Sequence, residues 1–417
     1  MNVQADRTLI RATGGSSRYV LISFTAPDSS RLPIRQPVNV AFVLDRSGSM
    51  GGSKIELAKK ALAAALRMFL PSDRFSVVFY DNIVDLVVPS TLASPEAIEN
   101  ALRQVHAIEA RGSTDLAGGW LRGCEQIAEH LEPSQIGKCL LLTDGLANQG
   151  ITDPVQLERH ASELRKRGIA TTTLGLGHDF NEVLLQRIAD VGGGRSYYIE
   201  TAVQIADTLT SELGETLETV VRGAMLRVKI APGVVVAPLT ALASRSVDDE
   251  TTEIQLGDLV ARQAISAVLQ VRFPSGTEGR TQRAVFSTAD HGGVLQASET
   301  DCIWTYADDA ANDRQPRNVI VDREVAQLYT FRARQEAVTL NSARRFDEAT
   351  ALLKAVADRI RRYAGSDPML NRLVEELEER GVAYAQLLSA PMSKSERYAA
   401  YHGSSMRSRD GKARRQP

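Results

Sequence analysis

The chain has 417 residues, enough for two or three domains at roughly 150 residues each, and 43% of it is hydrophobic, which excludes wholesale disorder. Its 49 basic and 51 acidic side chains leave a net charge of −2, so no overall field draws it to nucleic acid. No run approaches the ~20 apolar residues of a membrane span, the N-terminal stretch has no apolar signal segment, and the three scattered cysteines, Cys124, Cys139 and Cys302, read as reduced thiols of a cytoplasmic protein.

In chain order, residues 18–26 (RYVLISFTA) alternate, with Val20, Ile22, Phe24 and Ala26 on one face. From 37 to 218, strand and helix patterns take turns. Strands are expected at 38–44, 75–80, 83–88, 138–143, 169–174 and 195–199, several of them continuous apolar runs suited to a sheet covered on both faces. Helices are expected at 54–70, 95–105, 115–131, 154–167, 181–190 and 202–217. The pattern predicts an α/β domain with a doubly wound, mostly parallel six-stranded sheet, in which 83–88 follows 75–80 as an antiparallel hairpin.

Beyond about 222 the pattern changes. Residues 264–273 (AISAVLQVRF) alternate, with weaker strand patterns at 225–230, 234–237, 253–260 and 284–288, as in an antiparallel sheet with one wet face. Some 36 N-terminal residues cannot bury a core alone. Residues 1–36 and 219–310 are therefore read as one antiparallel β-sandwich into which the 37–218 domain is inserted. Residues 321–389 predict a helical hairpin or three-helix unit, with Phe346, Ala349, Leu353, Val356 and Ile360 at helical spacing and Ser366-Asp367-Pro368 opening a further helix. Residues 390–417 are polar and basic and are read as a disordered tail.

Chemistry concentrates where strand 38–44 ends, in LDRSGSM. Asp45, Ser47 and Ser49 stand at the carboxyl end of a central strand, the edge at which open α/β sheets bind ligands. Strand 138–143 ends in Asp144-Gly145, and the loop RGSTD brings Thr114. Three hydroxyls and two carboxylates are hard oxygen donors that suit Mg²⁺ or Mn²⁺, and the absence of His and Cys among them disfavours zinc. If the direct ligands are mostly neutral hydroxyls, the cation keeps positive charge and an exchangeable position that a partner's Glu or Asp carboxylate can fill. Competing readings fit less well. As a capping loop, the segment would use Ser53 ahead of KIELAKK. GSMGGSK lacks the Lys-Ser/Thr order of a phosphate-binding loop. Ser47 stands where a D-x-D phosphatase needs its second carboxylate, and no G-x-S-x-G elbow is present. Asp81 and Asp115 read as turn or cap residues, and His178 lies near the same edge.

D-x-S-x-S after a first strand, a distal threonine and T-D-G after a later strand resemble the von Willebrand factor A family over roughly 37–218. The resemblance implies a metal-ion-dependent adhesion site formed by Asp45, Ser47, Ser49, Thr114 and Asp144, all of which match the motif. The wider arrangement is similar to intracellular von Willebrand A proteins of bacteria and to some plant ubiquitin-ligase relatives, although no zinc-binding RING pattern is present. The function that follows is non-enzymatic: a metal-dependent scaffold or adaptor that binds a protein partner. The alternatives are a substrate-presenting subunit of an ATPase or chelatase-type complex and a metal-dependent hydrolase.

Overall fold

The computed structural model describes residues 1–29, 35–133, 135–240, 242–295, 299–404 and 412–414. The chain divides into two units, Met1–Pro33 with Thr219–Pro417, and Ile34–Glu218. The first begins with β1 (Asn2–Ala5), β2 (Leu9–Arg11) and β3 (Ser16–Thr25).

The Ile34–Glu218 unit runs β4 (Val38–Asp45), α1 (Ser53–Leu66), β5 (Arg74–Tyr80), β6 (Val84–Leu92), α2 (Pro95–His106), α3 (Leu116–Ala128), β7 (Ile136–Thr143), α4 (Pro154–Lys166), β8 (Ile169–Leu176), α5 (Glu182–Val191), β9 (Gly193–Ile199) and α6 (Ile205–Leu217). Its sheet has the order β6-β5-β4-β7-β8-β9, parallel throughout except for the antiparallel β5–β6 hairpin at one edge. This is the doubly wound, mostly parallel sheet that the alternating pattern predicts. Every residue of β4 and β7 is buried, because helices cover both faces. On one face, Gly119 and Gly123 let α3 close on Tyr80 of β5 and Val43 of β4, where a β-carbon would collide with those side chains. Trp120 lies in that core and donates from Nε1 to Thr171 Oγ1 at 3.1 Å.

A lysine in a covered strand needs a counter-charge. Lys138 of β7 finds it in Glu212 of α6, which is fully buried. Glu212 also accepts from Thr172 Oγ1 at 2.9 Å, Arg195 Nη1 at 2.8 Å and Tyr197 Oη at 2.6 Å. Burial by itself pushes the Glu212 carboxyl up, but the Arg195 and Lys138 charges outweigh it and hold the group well below the ordinary range.

The first unit resumes with β10 (Thr219–Ile230), β11 (Val235–Pro238), β12 (Ser244–Ser246), β13 (Thr251–Val260), β14 (Ala264–Phe273), β15 (Thr281–Ala289), β16 (Thr300–Ala307) and α7 (Asp309–Arg314). One sheet has the order β1-β3-β14-β11 and the other β12-β13-β10-β15-β16-β2. They share a core that includes Val20, Ile22, Leu226, Val228, Leu269, Val271, Phe286 and Trp304. The expected wet face of β14 is corrected in part. Tyr19 and Leu21 of β3 and Val268 of β14 pack against Val321, Val325 and Leu328 of α8 (Val319–Ser342). The alternation conceals this because residues on the second face are apolar too.

After α8 come α9 (Phe346–Ala364), α10 (Pro368–Tyr384) and α11 (Ala390–Ser404), with α8, α9 and α10 around a common apolar core. The tail from 390 is thus not uniformly disordered. Helix α11 covers residues assigned to the tail and makes a fourth helix beyond the hairpin or three-helix unit expected. Its Glu396 accepts from Arg334 Nη2 of α8 at 2.9 Å and pairs with Arg380 of α10, while Ala400 and Tyr401 are buried. Arg334 is only 4% exposed and depends on Glu376 and Glu396 for compensation. A polar composition misleads here because the polar groups have partners on other helices. The backbone carbonyl of Arg414 also accepts from Ala264 N at 2.8 Å. Residues 405–411 and 415–417 of the expected tail lie outside the described residues.

Two outcomes follow. Glu212→Gln leaves Lys138 buried without its counter-charge and is expected to cost about 3–5 kcal/mol at neutral pH by denaturant unfolding. Because the folded pKa is depressed, the wild-type advantage is full above about pH 4.5 and declines as the pH falls from there toward the folded value. A penalty unchanged between pH 7 and pH 3 contradicts this account. Truncation after residue 389 removes Glu396 and is expected to lower the melting temperature by several degrees. An unchanged melting temperature means that α11 contributes nothing to the helical core.

Candidate metal centre

Strands β4 and β7 are neighbours in parallel register, Leu44 opposite Leu142, at the point where the strand order reverses. The next residues, Asp45 and Thr143, therefore meet at the carboxyl edge. Thr143 Oγ1 donates to Asp45 Oδ2 at 2.7 Å, and the Ser47 amide donates to Asp45 Oδ1 at 2.7 Å. Asp45 has no exposed surface. Burial pushes its carboxyl up to about 6, against the downward pull of the Ser47 and Thr143 bonds.

The loop after β4 makes a short 3-10 turn, Gly48–Met50, before α1. Neither that turn nor α1 is capped by a side chain, and the α1 cap position is Gly52 with φ of 72°. The serines are thus not spent on capping. Instead Ser47 Oγ and Ser49 Oγ lie 3.1 Å apart, and Ser49 Oγ donates to Asp144 Oδ1 at 2.6 Å. Thr114 comes from the loop before α3, where its amide donates to Asn148 Oδ1 at 3.0 Å and its carbonyl accepts from the Asn148 and Gln149 amides. A β-carbon placed on Gly145 would lie 3.6 Å from Thr114 Oγ1 and 3.9 Å from Ser49 Oγ, so both hydroxyls face the same small space.

Backbone bonds join the loops. The Gly48 amide donates to the Gly112 carbonyl at 3.1 Å and the Arg111 amide to the Arg46 carbonyl at 2.7 Å. Arg46 and Arg111 also donate from Nε to Asp81 Oδ2, at 3.0 and 2.8 Å. Asp81 accepts from the Ile83 amide as well, and Asp115 caps α3 through Gly118 N, so both have the turn and cap roles expected of them. His178, just past the carboxyl end of β8, has Nδ1 2.9 Å from Tyr198 Oη.

All five residues singled out in the sequence, Asp45, Ser47, Ser49, Thr114 and Asp144, thus gather at one edge. Ser49 is exposed, and the other four are at most 3% exposed. Among the described residues no three His, Cys, Asp or Glu side chains cluster as a metal site, so any cation here would depend on hydroxyl oxygens. Two carboxylates and three hydroxyls fit a small, hard divalent ion. Sequence reasoning missed two members of the edge. Thr143 fixes Asp45, and its signal was its place before Asp144 at the strand end. Lys54, on the first turn of α1, donates from Nζ to Asp144 Oδ2 at 2.5 Å. In sequence it reads only as the lysine of GSMGGSK.

Comparison with known proteins converges on this unit. Residues 39–212 match the family model of the von Willebrand factor type A domain. The Escherichia coli protein YfbK is 31% identical over 196 residues, 46% of this chain and 34% of that protein. The Synechocystis protein sll0103 is 27% identical over 272 residues, 62% of each chain. The chain thus spans less than two thirds of either relative. A von Willebrand factor type A structure from Catenulispora acidiphila matches with a TM-score of 0.70 at 20% identity, over 95% of this chain and 89% of that one. The ArnB paralog VWA2 from Sulfolobus acidocaldarius matches with a TM-score of 0.56 at 17% identity, over 97% and 98% of the two chains. At such identities the likeness is one of fold.

Asp45→Asn keeps the shape of the residue and removes a buried charge beside Asp144. The metal-free protein should melt at the wild-type temperature or a few degrees above it when unfolded in EDTA. A fall of several degrees would make the Asp45 carboxylate a structural anchor instead.

Proposed function

We propose, from the von Willebrand factor type A domain over residues 39–212, that this chain is a metal-dependent protein-binding module, a scaffold or adaptor rather than a catalyst. The observation that carries this reading is the gathering of Asp45, Ser47, Ser49, Thr114 and Asp144 at the switch point of the sheet, with Ser49 exposed. These five residues would hold Mg²⁺ or Mn²⁺. When bound, the ion supplies positive charge and a coordination position open to a Glu or Asp carboxylate of a protein partner. Asp45 is oriented by Thr143 and the Ser47 amide, and Asp144 by Ser49 and Lys54. The Lys54 ammonium places a positive charge next to Asp144. The three free thiols support a reducing compartment, and the cytoplasm is the proposed location. Among the described residues no helix is long and apolar enough to cross a membrane.

The test combines calorimetry with capture of partners in Mg²⁺ or EDTA. Wild type should bind Mg²⁺ and Mn²⁺, and Ca²⁺ poorly, because five side chains suit six-coordination better than the 6–8 oxygens that Ca²⁺ takes. Asp45→Asn should lose both the metal and the metal-dependent partner. Lys54→Met removes a competing charge and should tighten Mg²⁺ binding by about 1 kcal/mol, roughly five-fold. Glu→Gln or Asp→Asn at one acidic residue of the captured partner should release it. Partner binding that is indifferent to EDTA and to Asp45→Asn rules the reading out.

A further inference from the structure

The Met1–Pro33 and Thr219–Pro417 unit contains a cavity of about 310 Å³, at the lower end of the roughly 300–1,000 Å³ range of small-molecule sites. Four of the described side chains lining it are arginines, Arg7, Arg317, Arg359 and Arg362, and none of the described lining residues is acidic. The neutral part of the wall includes Tyr19 of β3 and Tyr363 of α9.

Two of the guanidiniums have counter-charges. Arg7 Nε lies 3.2 Å from Asp6 Oδ2, and Arg317 forks onto Asp322 with bonds of 2.7 and 2.6 Å. The other two have no ion pair among the described residues. Arg359 donates from Nη2 to Tyr19 Oη at 2.9 Å and lies 4.5 Å over the Tyr329 ring. Arg362, in the last turn of α9, is exposed. Next to the lining residues Ser17 and Tyr19 in sequence, buried Arg18 donates, among the described residues, to neutral acceptors: the Leu9 and Ser17 carbonyls and Asn312 Oδ1. Its guanidinium is pushed down to about 10, first by burial and then by the charge of Arg7, with Asp6 pulling it back up. Four guanidiniums thus line a concavity whose counter-charges among the described residues are the carboxylates of Asp6 and Asp322.

Several of these cations are also held in place. Arg317 is fixed by its fork and by the Tyr363 ring, 4.4 Å from its guanidinium carbon. Arg359 is fixed by Tyr19, whose hydroxyl lies 2.7 Å from Tyr329 Oη. A guanidinium fork matches the oxygens of phosphate, and donors fixed before the ligand arrives lose little entropy on binding it.

We infer that this cavity binds the dianionic phosphate group of a phosphomonoester, whose two negative charges answer the two lining guanidiniums without a carboxylate. The volume leaves room for a small carbon skeleton beside the phosphate, and the concave shape favours a soluble ligand over a membrane surface. The site is made by residues of the other unit from Asp45 and needs no metal.

The experiment uses the full chain in EDTA at fixed ionic strength, with glycerol 3-phosphate and inorganic phosphate as probes and sodium chloride as control. Both probes should raise the melting temperature by several degrees in a saturable manner, with one-site binding by calorimetry. Arg362→Ala, at an exposed position where folding is not at risk, should weaken the affinity at least ten-fold. Arg361→Ala, on the same helix turn but paired with Glu378 and outside the cavity wall, should leave it unchanged. Phosphatidic-acid vesicles separate the possible sources of the group. No retention on them assigns the site to a soluble phosphomonoester, and retention that glycerol 3-phosphate competes away assigns the same chemistry to a lipid headgroup. Stabilisation no greater than that by chloride, an Arg362→Ala variant with wild-type affinity, or an equal loss in Arg361→Ala would overturn the inference.

Discussion

Taking a carboxylate out of water is costly unless donors in the protein replace its hydration. Asp45 stands at the end of a strand buried along its whole length, and it receives one bond from the Ser47 amide and one from the Thr143 hydroxyl. The rest of the edge is consistent with this requirement. The first bond turns the chain immediately after β4, which brings Ser47 and Ser49 back toward Asp144. The second requires β4 and β7 to be neighbours in their observed register. Stitching of the Arg46–Gly48 segment to the Arg111–Gly112 loop then carries Thr114 to the same place.

A similar rule governs the other buried charges. Glu212 ties α6 to β7, β8 and β9 through Lys138, Thr172, Arg195 and Tyr197. Glu396 ties α11 to α8 and α10 through Arg334 and Arg380. Each ion is met by partners from more than one element, so each bond also fixes a position. Such pairs add little net stability over apolar packing, but loss of one partner is expensive.

The α/β unit was largely legible because its strands are continuous apolar runs and its helices carry one-sided stripes, as in Ile55, Ala58, Leu62 and Ala65 of α1. The site residues were legible because hydroxyls and carboxylates interrupt apolar runs at strand ends. Other parts were hidden for physical reasons. β16 has alternating burial, but polar residues such as Thr300, Asp301 and Thr305 dilute its apolar signal. Thr143 and Lys54 look ordinary in sequence, and their roles depend on Asp45 and Asp144, which lie far away along the chain. Helix α11 was hidden because its composition is polar, and only the positions of Arg334 and Arg380 show where Glu396 is satisfied. The arginine-lined cavity was equally invisible, since Arg7, Arg317 and Arg359 are brought together by the fold.

One feature of connectivity sets a timetable for biosynthesis. Strand β3 pairs along its length with β14, and Gln270 Nε2 donates to Ser17 Oγ across 253 residues of sequence. As the chain leaves the ribosome, Ser16–Thr25 emerges early, with apolar side chains on both faces and an unpaired edge. Its partner appears only after all of Ile34–Glu218 has been made. Closing so long a loop is slow, and exposed strand edges are sticky. A nascent chain therefore has a period in which the second unit can complete its own core while the N-terminal strand is unsheltered. During that interval the protein has most need of a chaperone, and crowded synthesis carries the greatest risk of strand pairing between different chains.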